Sequence, residues 1–176
     1  MAQTTGECTI MGNTERNSFV CSAITDTLLD MLKTRKLSEI AIGEITSKAQ
    51  VSRNSFYRNF ESKEDILRQR IRVILKEWKN TTDFDHTEDP IHLYCLLFHV
   101  VEQRRDFFLL LKDAGLLYLL QAEFFDAFGL DNEDDDISAF SKFFFSYSTF
   151  GFLDTWIRRG MKQSADEMEI MLKGAH

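Results

Sequence analysis

Proline occurs once in the 176 residues, at Pro90, so almost nothing in the chain's own chemistry interrupts a long helix. Cysteine is scarce as well. Cys8, Cys21 and Cys95 are odd in number and scattered, with no C-x-x-C pair. That argues against a disulfide framework or a zinc site and suits reduced thiols in the cytoplasm. No apolar run approaches the roughly 20 residues needed to span a bilayer, so no membrane partner is expected. The N-terminus is polar through Ser18 apart from Ile10 and Met11, and it carries no signal-peptide pattern. Alternating polarity flanked by turn dipeptides, the mark of strands, is missing too. So are a Gly-rich phosphate loop, a nucleophile elbow and a histidine placed to activate a nucleophile; neither an enzyme nor a cofactor is expected.

What the chain has in quantity is phenylalanine and charge, both unevenly spread. Only Phe19, Phe56 and Phe60 of the 16 Phe precede residue 80, so the later part carries the larger aromatic core. The net charge of −7 divides at residue 79. Residues 1–79 hold 13 Lys and Arg against 10 Asp and Glu, and residues 80–176 hold 8 against 18. A basic lobe beside an acidic one suits a protein that meets a polyanion at one end, because that affinity follows local rather than total charge.

The periodicity predicts an all-α chain of about nine helices. Residues 1–13 lack any repeat and read as a disordered tail. A first amphipathic helix runs from Thr14 to about Lys33 and ends in a basic loop, Lys33 to Leu37. Ile42, Ile45 and Ala49 mark a short second helix, and Ser52 is placed to cap a third from Arg53 to Asn59. Ser62-x-x-Asp65 has the form of a capping box opening a fourth. That helix buries Ile66, Leu67, Ile71, Ile74, Leu75 and Trp78, with Arg68, Arg70, Arg72, Lys76 and Lys79 expected outward. The polar stretch 80–90 is the best boundary. The expected division is therefore a helix-turn-helix domain over 14–61, a linking helix over 62–79, and a helical effector-binding and dimerisation domain over 80–176.

The second and third helices meet at a tight turn, Gln50-Val51-Ser52, the layout of a helix-turn-helix. Its second helix would enter the major groove of double-stranded DNA. Arg53, Asn54 and Ser55 stand where side chains reach base edges; Arg pairs bidentately with guanine and Asn with adenine. Lys63 lies in the first turn of the fourth helix, where backbone N–H groups already favour a phosphate. Arg58 and Asn59 are lesser candidates, and Lys48 and Arg35 would add diffuse positive charge.

These residues carry a resemblance. Val51-Ser52, Phe56-Tyr57, Phe60 and Lys63-Glu64-Asp65 follow, in order and spacing, the pattern of the tetracycline-repressor (TetR) family of bacterial regulators. The likeness runs from Asn17 to Trp78, and a weaker one covers the aromatic-rich stretch around Phe143 to Met168. The resemblance implies that Tyr57 donates its hydroxyl to a phosphate. It also implies a homodimer joined through its last two long helices. Two positions depart from the pattern: Ala41 stands where the family has a hydroxyl cap, and Gln50 where it has a turn glycine.

The later aromatics fall into two groups. Tyr94, Phe98, Phe108, Tyr118 and Phe125 could line an effector cavity between helices, although ordinary core would read the same way. Phe140, Phe144, Tyr147, Gly151, Trp156 and Met168 are the candidates for a dimer interface. His92, Cys95 and His99 share a helix face at metal-like spacing, but no fourth ligand is apparent and no metal is expected. The reading that follows is a ligand-responsive, DNA-binding regulator, a repressor acting as a dimer on a palindromic operator, with an unknown small-molecule effector. The alternative is a co-activator of the same fold that works through a small molecule or protein partner rather than specific DNA binding.

Overall fold

The computed structural model describes residues 13–81, 90–127 and 136–174. Among them are nine α-helices, one 3-10 turn and no strand. The first four are α1 (Asn13–Leu32), α2 (Ile42–Lys48), α3 (Arg53–Asn59) and α4 (Lys63–Thr81), with the 3-10 turn Leu37–Glu39 between α1 and α2. After them come α5 (Pro90–Glu102), α6 (Arg105–Asp113), α7 (Leu117–Ala127), α8 (Asp136–Arg158) and α9 (Ala165–Gly174). The predicted tail lies almost wholly outside the described residues, as does most of the 80–90 stretch.

Helix ends form where the sequence supplies caps. Ser164 and Glu167 close a reciprocal box at the start of α9: Glu167 N–H donates to Ser164 Oγ at 3.2 Å, and Ser164 N–H to Glu167 Oε2 at 2.8 Å. Ser62 Oγ accepts from Asp65 N–H at 3.0 Å, but the Asp65 carboxylate turns to the Glu61 N–H. Gly160, at φ 86°, ends α8 in the left-handed region and leaves Met161 N–H to reach Trp156 O at 2.8 Å. The 3-10 turn had no expectation in the sequence, because three residues are too short for a period to show.

One apolar core runs through the described residues without a break at α4. α1 packs on α2, α3 and α4; α4 packs on α5 and α7; α5 lies along α9. Ile66, Leu67, Ile71 and Trp78 of α4 are wholly buried, so one face of this helix serves both the N-terminal bundle and the C-terminal one.

The other face of α4 departs from expectation. Arg68 and Arg72 do not simply face water: both turn to Glu123 of α7, a carboxylate only 4% exposed. Arg68 Nη1 lies 2.8 Å from Glu123 Oε1 and Arg72 Nε 2.5 Å from Oε2. Burying a carboxylate is costly unless its lone pairs are filled, and two guanidinium groups fill them. Lys79 donates to the carbonyl of Ala127, and Arg104 pairs with Glu77, so basic and acidic groups fix α4 along its length.

Candidate nucleic-acid interface

The turn between α2 and α3 is a Schellman ending built on a residue unsuited to it. Ala49 is the C-cap, Gln50 takes φ 56°, and the bonds Gln50 N–H to Ser47 O and Val51 N–H to Thr46 O measure 3.2 and 3.0 Å. Gln50 thus accepts the left-handed backbone that glycine adopts freely. Ser52 then caps α3, its Oγ accepting from Ser55 N–H at 3.0 Å. Phe56 is wholly buried and Phe60 nearly so, packed 5.8 Å apart between ring centres, which seats α3 on the bundle.

The opposite face of α3 is left to solvent. Arg53, Asn54, Tyr57 and Arg58 are all exposed, Tyr57 to 61% with its ring edge-on against Phe56. The phenol can therefore lean on the core while its hydroxyl points outward. Arg53 folds back over α2, its guanidinium lying against Gly43. Ser55 is half-buried and its hydroxyl lies 2.9 Å from that of Ser52, so it is drawn into the cap. Asn59 donates to Ser55 O at 2.7 Å and its own carbonyl accepts from Gln69, which ties α3 to α4.

Several cations around this face are already paired. Lys63 is half-buried and donates to the carbonyls of Leu37 and Ile40, each at 2.6 Å. Its ammonium braces the segment before α2. Lys48 pairs with Asp30 at 2.5 Å and Arg35 with Glu44 at 2.8 Å, so neither contributes the diffuse free charge expected of it. Ala41 has no polar side chain to cap α2. Its N–H instead donates to Glu44 Oε2 at 2.7 Å, and Arg35 holds the same carboxylate below the usual range. A negative charge thus sits at a helix N-terminus, where a phosphate would otherwise be favoured.

In the C-terminal part, the described residues among the five expected to line a cavity lie in different surroundings. Phe98 and Phe108 have no accessible surface at all, so neither borders a space large enough for water; Phe98 packs edge-on against Trp156 and Phe108 against Phe107. Phe125 stacks on Tyr147 at 4.3 Å. The side chain of Tyr94 lies outside the described residues. Tyr118 lines an open cleft of about 1310 Å³ between α1 and α6.

The dimer-face candidates divide as well. Phe140, Phe144 and Tyr147 are 75%, 63% and 56% exposed, and Gly151 is exposed beside them. Trp156 and Met168 are instead buried; the Trp156 indole donates to Gln163 O at 3.0 Å, a bond that belongs to the monomer core. Missed by the sequence reading, Ile137, Ile170 and Met171 join the exposed apolar set. Cys95 is buried, while His99 faces Asp166 and Glu169 of α9 at 3.5 and 3.8 Å. These three are the group of possible metal ligands among the described residues, and Asp166 is largely in solvent.

A three-helix head with an exposed polar face on α3, set on an all-helical body, is a helix-turn-helix fold. Residues 24–69 match the model of the tetR family of bacterial regulatory proteins, a likeness that covers the helix-turn-helix and the start of α4 and supports a DNA-binding transcriptional regulator. A solved structure described as the "Dihydroxyacetone kinase operon activator DhaS" superposes with a TM-score of 0.59 over 89% of this chain and 93% of that one. At 14% identity, that likeness speaks for the fold alone. No curated protein matches the chain. No described helix is long and apolar enough to cross a membrane.

Proposed function

We propose that the protein works as a homodimer whose two α3 helices read a palindromic operator and whose affinity answers to a small-molecule effector. The observation that carries the dimer is the aromatic face of α8. Ile137, Phe140, Phe144 and Tyr147 recur at three and four residues along one side of the helix and remain exposed, with Ile170 and Met171 of α9 as further uncovered apolar surface. A face of this kind on a two-fold axis would cover itself. The two recognition helices would then meet successive major grooves, whose centres lie about 34–36 Å apart. On DNA, Arg53 and Asn54 would read bases, Tyr57 and Arg58 would meet phosphates, and Lys63 would hold the approach to α2 in place.

A mobility-shift titration on DNA flanking the gene, paired with sedimentation, tests this reading. Wild type should give a sequence-specific shift as a dimer. Phe144→Glu should sediment as a monomer and lose the shift. A Phe144→Glu protein that stays dimeric would overturn the proposed interface. Arg53→Ala should lose about 1–3 kcal/mol of specific affinity, the worth of one bidentate base contact.

A second reading has specific support: co-activation through a protein or small-molecule partner, with weak DNA contact. Glu44 occupies the N-terminus of α2, and Lys48 and Arg35 are paired, which leaves less free positive charge around α3. Affinity that falls steeply with salt favours the operator reading, and salt-indifferent binding of a protein partner favours this one. Whether an operator-bound dimer represses or activates would follow from the operator's place relative to the promoter.

A further inference from the structure

The space between the DNA-reading head and the body has a definite chemistry. Its floor is apolar: Leu29 and Leu32 of α1, Leu37 of the 3-10 turn, and Phe107 and Leu110 of α6. Leu29 and Leu110 are only half-buried, so their apolar surface is available to an occupant. The rim is acidic. Asp26, Asp30, Glu39, Glu64, Asp106 and Asp113 line it, against Lys33, Arg35 and Lys36. Two of those three cations are already committed, Lys33 to Asp30 at 3.6 Å and Arg35 to Glu44 at 2.8 Å. Asp26, Glu64 and Asp106 have no ion-pair partner among the described residues.

We infer that this cleft is the effector site, and that it takes an amphipathic organic cation. The apolar body would lie on the leucines and Phe107, and the positive centre would sit among carboxylates that lack counter-ions. An anion of the same shape would meet the rim's unpaired negative charge and be rejected, which is how charge confers specificity on an apolar site. The volume, about 1310 Å³, exceeds the roughly 300–1,000 Å³ of a closed ligand site, so the occupant fills part of it and stays partly wet.

Position gives the site its regulatory use, and this part rests on the ligand-responsive reading above. α1 packs on α2, α3 and α4 and also meets α6, which in turn packs on α5, α7 and α8. An occupant of the cleft touches both groups and senses the angle between them. It shifts operator affinity only as far as it prefers one angle over another.

Tetraphenylphosphonium and tetraphenylborate, ions of one shape and opposite charge, supply the test on the full-length protein by titration calorimetry. The phosphonium should bind at least tenfold more tightly than the borate. Asp26→Asn with Asp106→Asn, both exposed and so neutral to folding, should weaken the phosphonium at least tenfold and leave circular dichroism unchanged. Leu110→Gln, half-buried, provides a second variant that should weaken both ions alike. Equal binding of the two ions, or phosphonium binding indifferent to the aspartate changes, would overturn the site. Saturating phosphonium should also alter operator affinity at least fivefold; binding without that change would overturn its role as effector while the cation site stood. Release of the operator by another compound, undiminished in the aspartate variant, would leave the responsive reading intact and remove this cleft from it. Phosphonium that dissociates the dimer would mean a second copy of the chain fills the cleft, which also overturns the proposal.

Discussion

The guanidinium of Arg53 rests on the α-carbon of Gly43: a methyl group placed there would come within 2.6 Å of Arg53 Nη2. The residue proposed to read bases is thus folded onto the preceding helix and, on that proposal, would swing away to reach DNA. Gly43→Ala would displace it. The obstacle is the far end of a flexible side chain, so the fold should not suffer, and alanine gains about 1 kcal/mol of helix propensity over glycine. The expected outcome is unchanged or raised thermal stability, with operator affinity equal to or tighter than wild type. A tenfold loss of affinity in a mobility-shift titration would mean that the folded-back pose is the one that reads DNA.

Gln50 holds φ 56° in the turn of the helix-turn-helix, a conformation that costs a non-glycine residue roughly 1 kcal/mol or more. Gln50→Gly should therefore stabilise the protein by about 1 kcal/mol, or about 2–4 °C in melting temperature for a chain of this length. Gln50→Val, whose β-branched side chain is worst suited to that backbone, should destabilise it. A calorimetric scan that orders the three proteins Gly, Gln, Val from most to least stable would bear this out.

The head was legible in the sequence because each of its features is local. Ser52 as the cap and Phe56 four residues before Phe60 can be read from spacing, and the α3 bounds Arg53–Asn59 follow from them; the misfit at Gln50 showed only against the family resemblance. The body was less legible, because an aromatic on a helix carries no sign of which neighbour will cover it. Phe98 and Phe108 went to the core and Phe140 to the surface, a difference decided by how α5, α6 and α8 cross. The Glu123 clamp was beyond sequence reasoning altogether. Its partners lie 51 and 55 residues away, and only the packing of α4 on α7 joins them.

Two surface carboxylates give the head an acid sensitivity. Hydrogen bonding from Arg35 holds Glu44 below the usual carboxylate range, and hydrogen bonding from Lys48 does the same for Asp30. A carboxyl group lowered in the folded state contributes stability that is fully present above its unfolded value, about 4. That contribution is lost as pH falls through the folded value. Urea unfolding at pH 6 and pH 3 should show a smaller loss for the Glu44→Gln, Asp30→Asn double variant than for wild type. Equal losses would show that the two pairs do not contribute.

The Glu123 cluster predicts an asymmetry between its two sides. Glu123 is 4% exposed, whereas the side chains of Arg68 and Arg72 are 33% and 54% exposed. If the carboxylate is removed, as in Glu123→Gln, both guanidinium groups can turn to water and the amide still accepts one bond, so the loss should be modest, about 1 kcal/mol. Removing both arginines, as in Arg68→Met with Arg72→Met, strands a buried carboxylate with no counter-ion, and the loss should approach about 3–5 kcal/mol. Adding Glu123→Leu to that double variant should restore most of it, since an apolar side chain then meets an apolar neighbourhood. Denaturant titrations of the four proteins measure this directly. Losses that add independently across the sites would mean that the three groups do not act as one clamp between α4 and α7.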